Sequence, residues 1–204
     1  MAVMIMAFGE TGWEWLNVPR EWAADDGLSL FCDPGTDLWR ETHYGYSYDT
    51  AHLFGRTVPG DARLTVTFSG DYAEQYDQAG AVLRIGQDDW IKAGVEYVDG
   101  GFHLSTVVTR GFSDWSVLPL GRSARRVTFG LERAGDAVTV RYGLDDDPPE
   151  TMLRLAYFPP GRPALAGAMA AAPVGKGVRR PLQRHTDQRG AQGILSRAKL
   201  VRGA

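Results

Sequence analysis

The chain has little of what usually fixes a chemistry by inspection. Cysteine occurs once, at Cys32, so no internal disulfide can form and a reducing compartment is the better fit. That thiol ends the strand-like run Leu28 to Cys32, just before Asp33-Pro34, where a free cysteine acts as a small buried hydrophobe. Long apolar runs are missing. Met1 to Phe8 is apolar but far shorter than a membrane span and has no basic segment before it. It reads as a non-secreted leader within residues 1–12. These absences predict a soluble, cytoplasmic protein without a membrane partner.

Basic charge is scarce until the end of the chain. Residues 1–175 hold 14 basic and 24 acidic side chains, a net of −10, whereas residues 176–204 hold eight basic side chains and one acid, a net of +7. An acidic body repels phosphates, so nucleic acid is not an expected partner. Metal and cofactor signatures are also lacking. His43 and His52 are separated by eight residues, with Asp49 between them. That spacing fits no compact metal site, and a hydrogen-bonded structural role is expected instead. No P-loop and no G-x-G-x-x-G opens a helix. A Ser105, His103 and Asp114 triad would lack the strained turn of a nucleophile elbow. No cofactor, metal or catalytic residue is therefore assigned.

What the chain does have is glycine (25 residues) and aromatics (six Trp, eight Tyr and eight Phe). Both suit strands and tight turns. Leu28 to Cys32, Ala62 to Phe68, Gln78 to Ile85, Trp90 to Tyr97, Phe102 to Thr109, Trp115 to Leu118, Val127 to Arg133, Ala137 to Tyr142 and Ala164 to Ala170 read as strands. Residues 150–158 read as a strand or a short helix. Asp99-Gly100-Gly101 is a hairpin turn signal. Thr36 to Thr42 carries Trp39, and His43 to His52 reads as a loop. About ten strands with almost no helical periodicity predict one all-β sandwich or barrel over residues 13–177.

Several segments resemble the DUF1349 family of regulation of enolase protein 1-like proteins. They are Trp15-Leu-Asn-Val-Pro19, Thr36-Asp-Leu-Trp-Arg-Glu-Thr-His-Tyr-Gly45, Asp77-Gln-Ala-Gly80, Asp89 to Tyr97 and Leu104 to Ser116. The resemblance implies a concanavalin A-like jelly-roll sandwich of two curved antiparallel sheets. It implies little about activity, although the family name points to a protein–protein regulator linked to carbon metabolism. Glucanases of this fold carry E-x-D-x-E or E-x-D-x-x-E on one strand, and no such run occurs here. Glycoside hydrolysis needs two carboxylates, roughly 5 to 9.5 Å apart. Glu96 would need Asp77 or Asp114 to reach it through the fold.

Alternation places Ile91, Ala93, Val95 and Tyr97 on one face and Trp90, Lys92, Gly94 and Glu96 on the other. Adding the neighbouring strands gathers Arg84, Trp90, Lys92, Glu96, His103 and Ser105 on one sheet face. Two readings of that face are open. As an ordinary solvated surface, Lys92 and Glu96 would be a pair worth under about 1 kcal/mol. As the floor of a concave groove, it would bind a carbohydrate or similar small polar ligand. Trp39, Trp90 and Trp115 would then stack on the ligand. Arg84, Lys92, Glu96, His43, His103 and Ser105 would orient it, with Tyr44 joining them from the Thr42-His43-Tyr44-Gly45 motif.

After Phe158 the sequence contains no Phe, Tyr or Trp. The resemblance implies an aromatic last strand of the pattern F-x-V-x-F-x-x-F after Ala171-Ala-Pro-Val-Gly-Lys-Gly177. The chain instead continues Val178-Arg-Arg-Pro-Leu182. A shifted reading frame past Gly177 is the expected cause, leaving residues 178–204 as a basic, poorly ordered tail and a sandwich short of one strand. Translating the coding DNA in the other two frames should restore the aromatic pattern in one of them; its absence from both overturns the frame shift.

Overall fold

The computed structural model describes residues 5–7, 11–24, 27–121, 124, 126–174 and 193–202. Among them there are strands and no helix, so no helix is long and apolar enough to cross a membrane. In chain order the strands are β1 (Ile5–Ala7), β2 (Glu14–Leu16), β3 (Glu21–Ala24), β4 (Leu28–Phe31), β5 (Leu38–Arg40), β6 (Ser47–Asp49), β7 (His52–Val58), β8 (Ala62–Ser69) and β9 (Gln78–Arg84). They continue with β10 (Asp89–Val98), β11 (Gly101–Arg110), β12 (Phe112–Pro119), β13 (Val127–Ala134), β14 (Ala137–Leu144), β15 (Thr151–Tyr157), β16 (Ala164–Ala171) and β17 (Gly193–Arg202).

One sheet has the order β15-β14-β13-β8-β17-β4-β3, with β1 also on β17; the other has the order β12-β11-β10-β9-β16-β7-β2. The short pair β5-β6 forms a separate ribbon. The two large sheets face each other as a jelly-roll sandwich, the fold class expected from the sequence. Period-two alternation builds the interior. Leu64, Val66 and Phe68 of β8 meet Phe129 and Leu131 of β13, and Leu83, Ile91 and Val95 enter from the opposite sheet, all in one buried cluster. The Phe68 and Phe129 rings stack with centroids 6.1 Å apart.

Turn chemistry sets the register. β10 and β11 pair from Asp89↔Arg110 to Val98↔Gly101, leaving a two-residue loop. Asp99 and Gly100 both have positive φ, 50° and 82°, as a type I′ turn requires. Segment 151–157 is a strand, which resolves the sequence ambiguity there. Two expectations are corrected. Residues 52–58, read in part as loop, form β7 between β16 and β2. Nor is the sandwich left short of a strand at β8: the backbone of 193–202 pairs with β8 on one side and with β4 and β1 on the other. The exposed main-chain groups of a sheet edge accept any sequence able to extend, and β17 fills that place without an aromatic pattern. The rest of the basic tail, residues 178–192 and 203–204, lies outside the described residues.

β9 and β10 approach unusually closely where Gly80 faces Gly94. A Cβ on Gly94 would lie 2.1 Å from the Ala79 carbonyl oxygen, and one on Gly80 would lie 2.1 Å from that of Ala93. Backbone atoms cannot rotate away as a flexible side chain can. Gly94→Ala should therefore lower stability by about 1–3 kcal/mol, the cost typical of overpacking. Gly60→Ala, where a Cβ would meet nothing within 4 Å, should be nearly silent. Urea unfolding of the two variants checks the contrast.

Candidate functional site

The outer face of the β12-to-β2 sheet is partly capped by the β5-β6 ribbon. Leu38 and Trp39 come down from the ribbon onto Val82, Trp90, Val107 and Met169, forming a second, smaller buried cluster. The tight loop between β5 and β6 explains how Trp39 is aimed. Glu41, His43 and Gly45 adopt positive φ of 55°, 64° and 69°. Main-chain bonds from Glu41 N to Tyr46 O (2.8 Å) and from Gly45 N to Glu41 O (2.8 Å) close the loop. Trp39 Nε1 donates to Thr42 O at 3.0 Å. The base of the ribbon is tied to itself, with Thr50 N and Ala51 N both donating to Asp37 O at 2.8 Å.

Beneath one end of this cap lies a buried polar floor. Lys92 Nζ donates to Gln78 Oε1 at 2.7 Å and lies 3.4 Å from Asp37 Oδ1. Gln78 Nε2 donates to Tyr76 O at 3.2 Å and to Asp37 Oδ1 at 3.3 Å. Asp37 Oδ1 also accepts from Leu38 N at 2.7 Å. Glu96 is 6% exposed. Its Oε2 accepts from Trp115 Nε1 at 3.0 Å, and the same indole N–H lies 3.0 Å from Ser105 Oγ. Burial pushes the Glu96 carboxyl above its ordinary value; the Lys92 charge and the Ser105 and Trp115 hydrogen bonds oppose that rise, and the Asp37 charge adds to it. A small pocket bounded by Gln78, Lys92, Gly94, Glu96, Ser105 and Met169 has room for about one water molecule.

An aromatic rim surrounds the floor. Tyr44 packs edge-on to Trp39 (centroids 5.5 Å), Trp39 to Trp115 (6.4 Å) and Trp115 to Tyr76 (6.2 Å). The Tyr44 and Tyr76 hydroxyls meet at 3.2 Å and close the circle. That hydrogen bond, with burial second, raises the Tyr44 hydroxyl to about 12. Tyr46 stacks on Tyr44 at 5.4 Å, and Tyr48 meets Tyr46 at 4.9 Å. Tyr44, Tyr46 and Tyr48 are 39%, 39% and 43% exposed, so their rings are open to solvent.

The structure brings together Trp39, Tyr44, Lys92, Glu96, Ser105 and Trp115. It separates Trp90, Arg84 and His43 from them and leaves His103 beside Glu96 at the edge of the floor. Trp90 is completely buried in the second cluster, with Nε1 donating to Gln87 O at 3.2 Å; it is a packing residue because the apolar part of this face is covered. Arg84 forms a forked pair with Asp49 at 2.6 and 3.3 Å, which fastens β6 to the sheet. His103 is half-buried opposite Glu96 across the β10-β11 pair, and its Nδ1 lies 3.2 Å from Gly101 O. His43 is exposed on the ribbon loop against Tyr44, centroids 4.8 Å apart. Neither Asp77 nor Asp114 is held toward Glu96. Asp77 Oδ2 accepts from Ala73 N and Glu74 N, and Asp114 pairs with Arg154 at 3.3 Å.

His52 is structural: its Nδ1 lies 2.7 Å from Asn17 O, and Asp33 N donates to its Nε2 at 3.0 Å. The Cys32 thiol, raised to about 12 by burial and by the Asp77 and Asp33 charges, packs against the main core. Sequence reasoning missed Asp37, Tyr46, Tyr76 and Gln78. The alternating Tyr44-Gly-Tyr-Ser-Tyr48 was the available signal for the rim. Nothing local marks Asp37, whose partners lie 41 and 55 residues away.

Fold and site together define a β-sandwich with a capped polar pocket on one outer face. The chain belongs to the family described as "Protein of unknown function (DUF1349)", whose model matches residues 15–187. It is 37% identical over 167 residues to "Regulation of enolase protein 1" of Saccharomyces cerevisiae, covering 81% of this chain and 83% of that protein. The crystal structure of "a functionally unknown protein from Saccharomyces cerevisiae" is similar with a TM-score of 0.77 at 31% identity, over 93% of each chain. The carbohydrate binding module CBM66 from Bacillus subtilis shares the fold at 12% identity, with a TM-score of 0.54 over 91% of this chain and 92% of that one.

The raised Glu96 carboxyl has a consequence for stability. The folded state holds its proton more tightly than the unfolded state, so stability falls as pH rises from the ordinary glutamate value through the higher folded value. Glu96→Gln removes that loss while keeping an acceptor for Trp115. The variant should melt higher than the wild type near neutral pH, and the gap should close in acid. Melting curves across pH check both halves of the expectation.

Proposed function

We propose that the chain is a non-catalytic binding module for a carbohydrate or similar small polar ligand, held at the capped pocket. The observation that carries this reading is the pairing of the solvent-open Tyr44 and Tyr46 rings and the part-buried Tyr76 and Trp115 rings with a buried floor of Glu96, Lys92, Asp37 and Gln78. Sugars present C–H faces that stack on aromatic rings and hydroxyls that need fixed, charge-assisted partners. The pocket supplies both from the ribbon and its base, the turn before β9 and the four adjacent strands β9 to β12. The fold shared with CBM66 over nearly its whole length supports the same direction, although fold alone never assigns a ligand. The lone cysteine suits work in the cytoplasm.

A protein–protein regulator linked to carbon metabolism is the second reading, favoured by the name of the 37% identical relative. The edge strand β15 exposes Met152, Leu155 and Tyr157 at 58%, 63% and 51%, which gives such a partner an apolar surface. A glycoside hydrolase acting through Glu96 is the third. Titration with a sugar panel separates them. Binding should change tryptophan fluorescence saturably through Trp39 and Trp115. Tyr76→Ala should weaken it about tenfold, the loss of one well-packed contact. No response to any sugar, with capture of an enzyme of carbon metabolism that Leu155→Asp abolishes, favours the regulator. Sugar release that Glu96→Gln abolishes while binding persists favours the hydrolase.

A further inference from the structure

We propose that the ligand of this pocket is an amino sugar, a carbohydrate whose free amine sits as an ammonium beside Glu96, under the rim that Tyr44 and Tyr76 form with Trp115. The inference rests on the carbohydrate reading and adds the ligand's charge.

The first support is an imbalance of charge. The floor holds two carboxylates, Asp37 and Glu96, and one ammonium, Lys92, which is already engaged by Asp37 and Gln78. Glu96 accepts hydrogen bonds from neutral donors, the Trp115 indole N–H and the Ser105 hydroxyl, and the Lys92 charge acts on it without an ion pair. Among the described residues no Lys, Arg or His forms an ion pair with it; the Lys92 pair is with Asp37. A buried carboxylate in that condition lacks a cation, which a ligand can bring.

The second support is the rim. Four rings form a closed circle, Tyr44–Trp39–Trp115–Tyr76, shut by the hydroxyl contact between the two tyrosines. Ring faces carry negative quadrupole and attract alkylammonium groups. The third is size. The space beside Glu96, Ser105 and Gly94 takes about one water molecule. A primary ammonium has that bulk; an acetamido group does not. The acidic balance of residues 1–175 also draws cations toward this surface.

The test is fluorescence titration of the full chain with glucosamine, N-acetylglucosamine, glucose and tetramethylammonium at neutral pH. Glucosamine should bind at least tenfold more tightly than glucose or N-acetylglucosamine. Glu96→Gln, checked by melting to be folded, should lose that preference, with affinity for glucosamine falling at least tenfold further than affinity for glucose. Equal affinity for glucosamine and glucose overturns the amino-sugar assignment and leaves the carbohydrate reading standing. So does N-acetylglucosamine matching glucosamine. If no sugar binds, both fall, and binding of tetramethylammonium alone overturns the amino-sugar assignment as well.

Discussion

Lys92 projects from the middle of β10 onto the outer face of its sheet, where it is 4% exposed. An ammonium taken out of water must be paired and hydrogen-bonded, or its burial costs more than the fold can offset. Its partners come from two directions: Gln78 from the adjacent strand β9, and Asp37 from the base of the ribbon. Asp37 therefore has to lie over the sheet, and the ribbon lies over it too. Trp39 then covers the apolar half of the same face, and the rim of tyrosines follows from the ribbon loop. Much of the candidate site is thus a consequence of satisfying one buried charge.

The same face carries two kinds of surface side by side. Val82, Trp90, Val107 and Met169 form a dry cluster under Leu38 and Trp39, whereas Lys92, Glu96 and Ser105 remain polar and hydrogen-bonded. The division runs along β10 itself, between Trp90 and Glu96. Gly94 sits in the polar half and borders the small space beside Glu96. The close approach of β9 and β10 at Gly80 and Gly94 serves sheet packing, because a Cβ at either position would meet the neighbouring backbone.

The strands were legible because their alternation is clean and their turns carry Asp-Gly or Gly-Asp signals. β8, β9, β10, β11, β13 and β14 begin and end within about three residues of the expectation, and the core residues Ile91, Ala93, Val95 and Leu104 lie where alternation places them. What could not be read was depth on the other face. Alternation says that Trp90 and Glu96 share a side; it does not say that a ribbon 40 or more residues earlier covers one and rims the other. Hence Trp90 was expected to stack on a ligand and is packing instead, and Arg84 was expected to orient a ligand and holds Asp49. β5, β6 and β7 were obscured by their length or by intervening glycine and histidine. β17 was missed because backbone pairing, not side-chain pattern, recruits it.

The ribbon has one further consequence. It is at once the lid of the second hydrophobic cluster and the source of the tyrosines and of Asp37 at the pocket. Substitutions that would retune recognition there fall on an element whose loss uncovers Trp90 and strands a buried ammonium. Adaptation of the pocket is therefore confined to the outward rings of Tyr44, Tyr46 and Tyr48, where new specificities can be sampled without disturbing the floor. Evolvability and robustness are divided between the two sides of a single hairpin.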